Sequence, residues 1–394
     1  MRKVLSFSLF LMLGLVISQL LPGALGAGYA SFKACSDTLL YVCLGFIMIN
    51  VGREFEIDKS RWRSYTADYF IAMATAALPW ILIVLYYIFV LLPPPLWGSG
   101  EAWKENLLLS RFAAPTSAGI LFTMLAALSL KNSWIYRKIQ VLAIFDDLDT
   151  ILLMIPLQIF MIGFKWQLFA VVIVITFLLV IGWKKLGTIR LSQTWKSILF
   201  YAVCIVAVTE SIYLLTKWMM GADGAIHIEV LLPAFVLGMV MKTVHQHGNR
   251  DEKITGMISY LFMFLVGLST PQFIGIDHGH RITEAVGIIA AQPMPSWEVL
   301  IVHVIVVTLL SNLGKMFPLF FYRDRQLEER LALSVGMFTR GEVGAGIIVI
   351  AMGYNLGGPA PIISVLSLVL NLLLTGGFVV IVKRLAQQAY GLKE

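Results

Sequence analysis

Twelve apolar stretches, each close to the roughly 17–25 residues that carry a helix across a bilayer, fill nearly the whole of this 394-residue chain. They run Val4–Leu21, Ala34–Val51, Tyr69–Leu92, Leu107–Leu130, Ile139–Phe164, Leu168–Trp183, Ser197–Leu215, Ile226–Met241, Ile254–Ile276, Val299–Phe321, Leu331–Tyr354 and Pro361–Val382. Lipid offers no partner to a backbone N–H or C=O, so such stretches must satisfy themselves as helices. Only 13% of residues are charged, against about 25% in soluble domains. The longest connection, Asp277 to Glu298, leaves no room for a soluble domain. The expected fold is an all-α polytopic membrane protein of about twelve transmembrane helices.

The net charge of +7 points to topology and not to nucleic acid. With the N-terminus in the cytoplasm, alternate loops and the two tails hold 22 of the 30 Lys and Arg residues. The opposite side holds Lys33, Lys104, Arg111, Lys165, Lys217 and Arg281, while Lys315 and Arg340 lie inside apolar spans. That bias follows the positive-inside rule and places both termini in the cytoplasm of a cell whose inner membrane the protein crosses. A competing reading takes Arg2-Lys3, the first apolar run and Ala24-Leu25-Gly26-Ala27 as a cleaved signal peptide. Cys35, Cys43 and Cys204 are odd in number and lie in or beside apolar spans, so they read as small core residues and not as a disulfide framework. The histidines fall mostly in or near loops without a metal-binding spacing.

Against this background Asp146 and Asp147 stand side by side inside Ile139–Phe164. A carboxylate at the centre of a membrane helix costs roughly 2.5–3.5 kcal/mol on insertion scales, and intramembrane acids mark ion or proton sites. Neighbours on a helix point about 100° apart, so the two acids address different surroundings from one depth. The bland alternative is a structural hydrogen-bonded pair. Asp149 reads either as a third member or as a helix-face contact. Lys315 lies about six residues, roughly 9 Å, from the cytoplasmic end of its span, and Asp146 about eight, roughly 12 Å. Those depths suit a salt bridge, though a lysine there can also snorkel to the interface. Glu210 is intramembrane without an evident partner.

Two further places interrupt spans. Ala114-Pro115-Thr116-Ser117-Ala118-Gly119 puts a proline, which removes a helix hydrogen bond, beside two hydroxyls. Phe338-Thr339-Arg340-Gly341-Glu342-Val343-Gly344-Ala345-Gly346 puts two charges and three glycines mid-span. Arg340 and Glu342 are candidates to pair with each other or with other helices, and a purely structural ion pair or a simple proline kink competes with the functional reading. The interruptions fall in the fourth and eleventh spans, which run in opposite directions. Broken helices at matching places in inverted halves mark a transporter site near the midplane. Two crossed discontinuous helices are therefore expected.

Taken together, Asn50-Val51-Gly52-Arg53-Glu54-Phe55-Glu56, Ala114-Pro115-Thr116-Ser117, Phe145-Asp146-Asp147, Pro233-Ala234-Phe235-Val236-Leu237-Gly238, Gly314-Lys315 and Arg340-Gly341-Glu342 resemble the monovalent cation:proton antiporter superfamily. The likeness spans the chain and is nearest to bacterial electrogenic sodium/proton antiporters. It implies that Asp147 binds the transported sodium ion and protons in turn, and that Asp146 pairs with Lys315 until sodium breaks the pair. It places Thr116 at the crossed unwound segments. Arg340, Glu342 and Asp149 are expected, from their own positions in the spans, to be accessory charges. It also implies no cofactor, two protons exchanged per sodium, a role in pH homeostasis, and a homodimer. The ion-carrying core would take residues 66–164 and 298–384, the dimerisation scaffold 1–52 and 195–276, and a linking helix 165–185. Pro115 and Ser117 depart from the family's pattern, and Asp149 adds an acid to it.

Other classes fit less well. A membrane aspartyl protease needs carboxylates converging from separate helices, and a prenyltransferase needs two aspartate-rich metal sites. Potassium/proton exchange, a sodium-coupled symporter of the same fold, and a passive channel stay open at this stage.

Overall fold

The computed structural model describes residues 2–54, 62–117, 121, 133–162, 167–185, 187–220, 230–241, 249–269, 287–354 and 356–391. Its α-helices are α1 (Arg2–Leu25), α2 (Tyr29–Glu54), α3 (Trp62–Tyr86), α4 (Gly100–Ser110), α5 (Trp134–Ile162), α6 (Gln167–Lys184) and α7 (Trp195–Met220). They continue with α8 (Leu231–Val240), α9 (Asn249–Leu268), α10 (Trp297–Gly314), α11 (Leu327–Gly336), α12 (Glu342–Gly353) and α13 (Pro359–Tyr390). Five described segments, Tyr29–Asn50, Tyr65–Leu91, Trp195–Met219, Trp297–Phe320 and Pro359–Tyr390, are long and apolar enough to cross a membrane. Large apolar side chains such as Phe70, Phe200, Leu309 and Leu374 are exposed along them, as suits faces turned to lipid. This is an all-α membrane protein.

The chain divides into two compact units. One comprises Leu9–Lys59 and Ile162–Ser269. Within it α2 packs against α7, α8 and α9. Two crossings there depend on glycine. A Cβ on Gly52 would collide with the Phe235 carbonyl, and one on Gly238 with the Ile49 carbonyl. In the same way Gly14 abuts the Phe264 carbonyl, and Gly267 the Leu11 carbonyl. Each crossing thus has a glycine on both helices, which brings backbones close where lipid supplies no hydrophobic drive for association. Of the three cysteines only Cys43 is buried. Cys35 and Cys204 are exposed on α2 and α7, because an apolar residue of a membrane helix needs no protein cover.

The other unit comprises Met1–Ser8, Ser60–Met161 and Thr270–Glu394. Here α10 lies between α3 and α13, and α11 packs on α13. Pro79 interrupts the α3 ladder, and Gly314 at the end of α10 sits directly on it. A Cβ on Gly314 would come within 2.7 Å of the Pro79 Cα. The close approach fixes where the next residue, Lys315, projects. A polar seam joins α10 to α13: Thr308 Oγ1 lies 2.8 Å from Ser367 Oγ, and Asn312 Nδ2 donates to Asn371 Oδ1 at 3.2 Å.

A clamp holds the far ends of the same helices. Asp68 on α3 is buried and accepts from Lys138 Nζ of α5 at 2.8 and 3.0 Å, and from Tyr322 Oη at 2.7 Å. Tyr322 follows α10 and has φ 52°, the one non-glycine residue with positive φ among those described. That backbone region is strained for a side chain of this size. Burial, and then the Asp68 charge, push the Tyr322 phenol well above its ordinary range, so it stays a donor at every physiological pH.

The glycine crossings make a specific prediction. Gly238→Leu should lower the stability of the full-length protein by about 1–3 kcal/mol. Gly256→Leu, at a glycine with nothing within 4 Å, should leave it nearly unchanged. Thermal melting in detergent distinguishes the two.

Candidate functional site

The interruption in the fourth sequence span has a clear structural form. Helix α4 ends at Ser110, a single 3-10 turn covers Arg111–Ala113, and Ala114–Ser117 leave the helical path. Residues 118–120 and 122–132 lie outside the described residues. In the eleventh span α11 stops at Gly336, and α12 starts only at Glu342. The two interruptions touch. Ser117 N donates to the Thr339 carbonyl at 3.0 Å, and Thr116 Oγ1 donates to the Met337 carbonyl at 3.2 Å. Gly344 makes room for this, since a Cβ there would stand 2.8 Å from the Phe112 carbonyl.

Lys315 reaches into this junction. Its Nζ lies 2.6 Å from Asp146 Oδ2 and donates to Thr116 Oγ1 at 3.0 Å. All three residues have zero exposure. Thr116 uses its one proton on Met337 and one lone pair on Lys315, so its hydroxyl is oriented from both sides. The second Asp146 oxygen, Oδ1, is buried without a hydrogen-bond partner among the described residues. Helix α5 positions Asp146 one turn before Thr150, whose hydroxyl donates to the Asp146 carbonyl at 2.8 Å.

Arg340 is also buried and binds oxygens of the neighbouring backbone. Its Nη1 donates to the Met337 carbonyl at 3.1 Å, and its Nη2 to Ser311 Oγ at 2.7 Å and the Ser311 carbonyl at 3.3 Å. A guanidinium at the end of α11 offsets the partial negative charge of that helix's last carbonyls. Asn371 Nδ2 covers the next of them, Phe338, at 3.0 Å. The side chains of Asp147 and Glu342 lie outside the described residues, although both residues' backbones are helical.

Asp149 is buried one turn beyond Asp146 and pairs with Arg111. Arg111 Nη2 lies 3.2 Å from both Asp149 Oδ2 and the Asp149 carbonyl. Arg111 is the residue that sequence reasoning misplaced, by counting it among the outer-side loop charges. Its exposure is zero, and its guanidinium lies 4.7 Å from the Trp80 ring centroid. The available signal was its position inside Leu107–Leu130, where an unpaired arginine is as costly as Lys315 or Arg340. Of the other polar residues considered, His303 Nδ1 lies 2.7 Å from Tyr86 Oη; the remaining five histidines are outside the described residues.

The junction gathers hard oxygen donors (a carboxylate, a hydroxyl and backbone carbonyls) around one ammonium with no water-exposed surface. Carboxylate and carbonyl oxygens are the ligands that alkali and alkaline-earth cations take. A cation entering here competes with the ammonium for the same carboxylate. Over residues 3–386 the chain matches the family described as sodium/hydrogen exchanger, transmembrane. Among curated proteins no relative matches the chain.

Removing one partner of a buried ion pair leaves the other uncompensated, at a cost of about 3–5 kcal/mol. Lys315→Met should therefore lower the melting temperature of the purified protein sharply. The double variant Lys315→Met/Asp146→Leu should recover most of the loss in the same melting assay.

Proposed function

The chain belongs to the transmembrane sodium/hydrogen exchanger family, and on that footing we propose that it exchanges protons for sodium, or lithium, by alternating access and electrogenically. Membership makes it a cation:proton antiporter and not an enzyme. The observation that carries the finer reading is the buried Asp146–Lys315–Thr116 cluster at the meeting point of the two interruptions.

In this reading Asp147 takes the cation and a proton in alternation, its place on α5 beside Asp146 putting it at the depth of the cluster. Sodium approaching Asp146 and Asp147 displaces the Lys315 ammonium. A lysine set free in a site that excludes water holds its proton weakly, so the ion's arrival ejects protons from both a carboxylic acid and an ammonium. Two protons then leave for one positive charge taken up, and the cycle responds to membrane potential. Arg340, hydrogen-bonded to Ser311 and Met337, keeps its charge throughout and steadies the carbonyls of the broken helix. The reverse step, reprotonation of the acids and re-formation of the Lys315 pair, releases the ion on the other side.

The architecture assigned to this function has about twelve spans in two inverted halves, with the fourth and eleventh crossing at the touching interruptions. An ion-carrying core, approximately 66–164 and 298–384, moves against a dimerisation scaffold, approximately 1–52 and 195–276, with residues 165–185 linking them. We assign the protein to an inner membrane as a homodimer with both termini cytoplasmic.

Asp147→Asn should abolish sodium-dependent proton efflux from inverted membrane vesicles while leaving the amount of protein in the membrane unchanged. Undiminished exchange by that variant would sink the assignment. Running the same assay with sodium, lithium and potassium separates the proposed selectivity from potassium/proton exchange, and dependence on an imposed potential tests electrogenicity.

A further inference from the structure

Two buried ion pairs lie one helical turn apart on α5. Asp146 is held by Lys315, and Asp149 is held by Arg111. Residues three apart on a helix share a face with Cβ atoms about 5–6 Å apart, so Asp149 stands where a third carboxylate could join the cluster. The partners of the two acids differ in one respect. An ammonium out of water gives up its proton readily, whereas a guanidinium stays charged under all conditions a protein meets.

The second pair is also built to stay closed. Arg111 opens the turn between α4 and the Pro115 interruption. One face of its guanidinium lies over Trp80, and Trp80 is itself fixed by donating Nε1 to the Leu107 carbonyl at 2.8 Å. Arg111 Nη2 engages Asp149 through both side chain and backbone. Around Asp149 the neighbouring groups are Arg111 from that turn, Tyr69 from α3, Lys315 following α10, and Asp146 on its own helix. Arg111 is its sole direct ion-pair partner among the described residues.

We propose that Arg111 is a specificity-determining residue: a permanent counter-charge that keeps Asp149 out of the ion-exchange cycle, so that only the acids next to Lys315 take up cations and protons. The inference rests on the antiport reading above. Without the guanidinium, Asp149 becomes an additional oxygen donor and an additional proton acceptor one turn from the site. Cation affinity then rises, because the Asp149 charge is no longer offset by a positive one.

The test uses the full-length protein in proteoliposomes, with internal pH read against external sodium. Arg111→Gln should keep exchange but lower the half-saturating sodium concentration by about fivefold or more, the usual scale of such a coupling. Arg111→Gln/Asp149→Asn should return it toward the wild-type value. Arg111→Lys, which restores a cation that can shed its proton, should resemble wild type at neutral pH and Arg111→Gln at alkaline pH. An unchanged half-saturation in Arg111→Gln, or a double variant that keeps the Arg111→Gln value, overturns the proposal. Should Arg111→Gln fail to fold, Arg111→Lys decides the matter, and a half-saturation matching wild type at every pH overturns it. A wild-type protein that moves no protons in response to sodium, lithium or potassium overturns the antiport reading and this inference with it. Exchange by wild type with indifferent Arg111 variants overturns this inference alone.

Discussion

A carboxylate and an ammonium 2.6 Å apart, neither touching solvent, set the terms for everything around them. Taking two such charges out of water costs several kcal/mol each, and their attraction offsets this only when the geometry is good and the remaining lone pairs are met. Among the described residues Asp146 Oδ1 has no hydrogen-bond partner, so the geometry of the Oδ2–Nζ contact carries most of that compensation.

The elements that deliver the pair are ordinary membrane helices disturbed at chosen points. Pro79 and Gly314 let α3 and α10 approach until the residue after the glycine projects into the junction. Gly344 lets α12 begin against the turn that follows α4. The broken ends leave carbonyls that would be intolerable in lipid; Thr116 and Arg340 both bond that of Met337, and Asn371 bonds that of Phe338. Irregular backbone persists at this depth because polar side chains from other helices surround it. The polar seam between α10 and α13 extends the same principle along the interface.

Much of this was legible in the sequence and some was not. Composition and span length were enough for the helical membrane class, because lipid admits so few alternatives. The depths of Asp146 and Lys315 follow from counting residues to the span ends, so their proximity was open to argument before any coordinates. Pro115 and Gly341 announced themselves as breaks by residue type. Arg111 was lost because a residue near the end of a span reads equally well as a loop charge, and nothing local ties it to Asp149. The Asp68–Lys138–Tyr322 clamp was hidden for the same reason, since each member taken singly is an unremarkable polar residue at a helix end. Pairing across distant segments is a tertiary fact, and charge at a span boundary carries no label saying which helix it will meet.

The reciprocal glycine crossings have a consequence for how the chain is made. Gly14 abuts the Phe264 carbonyl, and Gly52 that of Phe235, so α1 and α2 find their seats only after α9 and α8 have left the ribosome. Until then the earliest helices stand in the bilayer with bare glycine grooves, open to wrong neighbours.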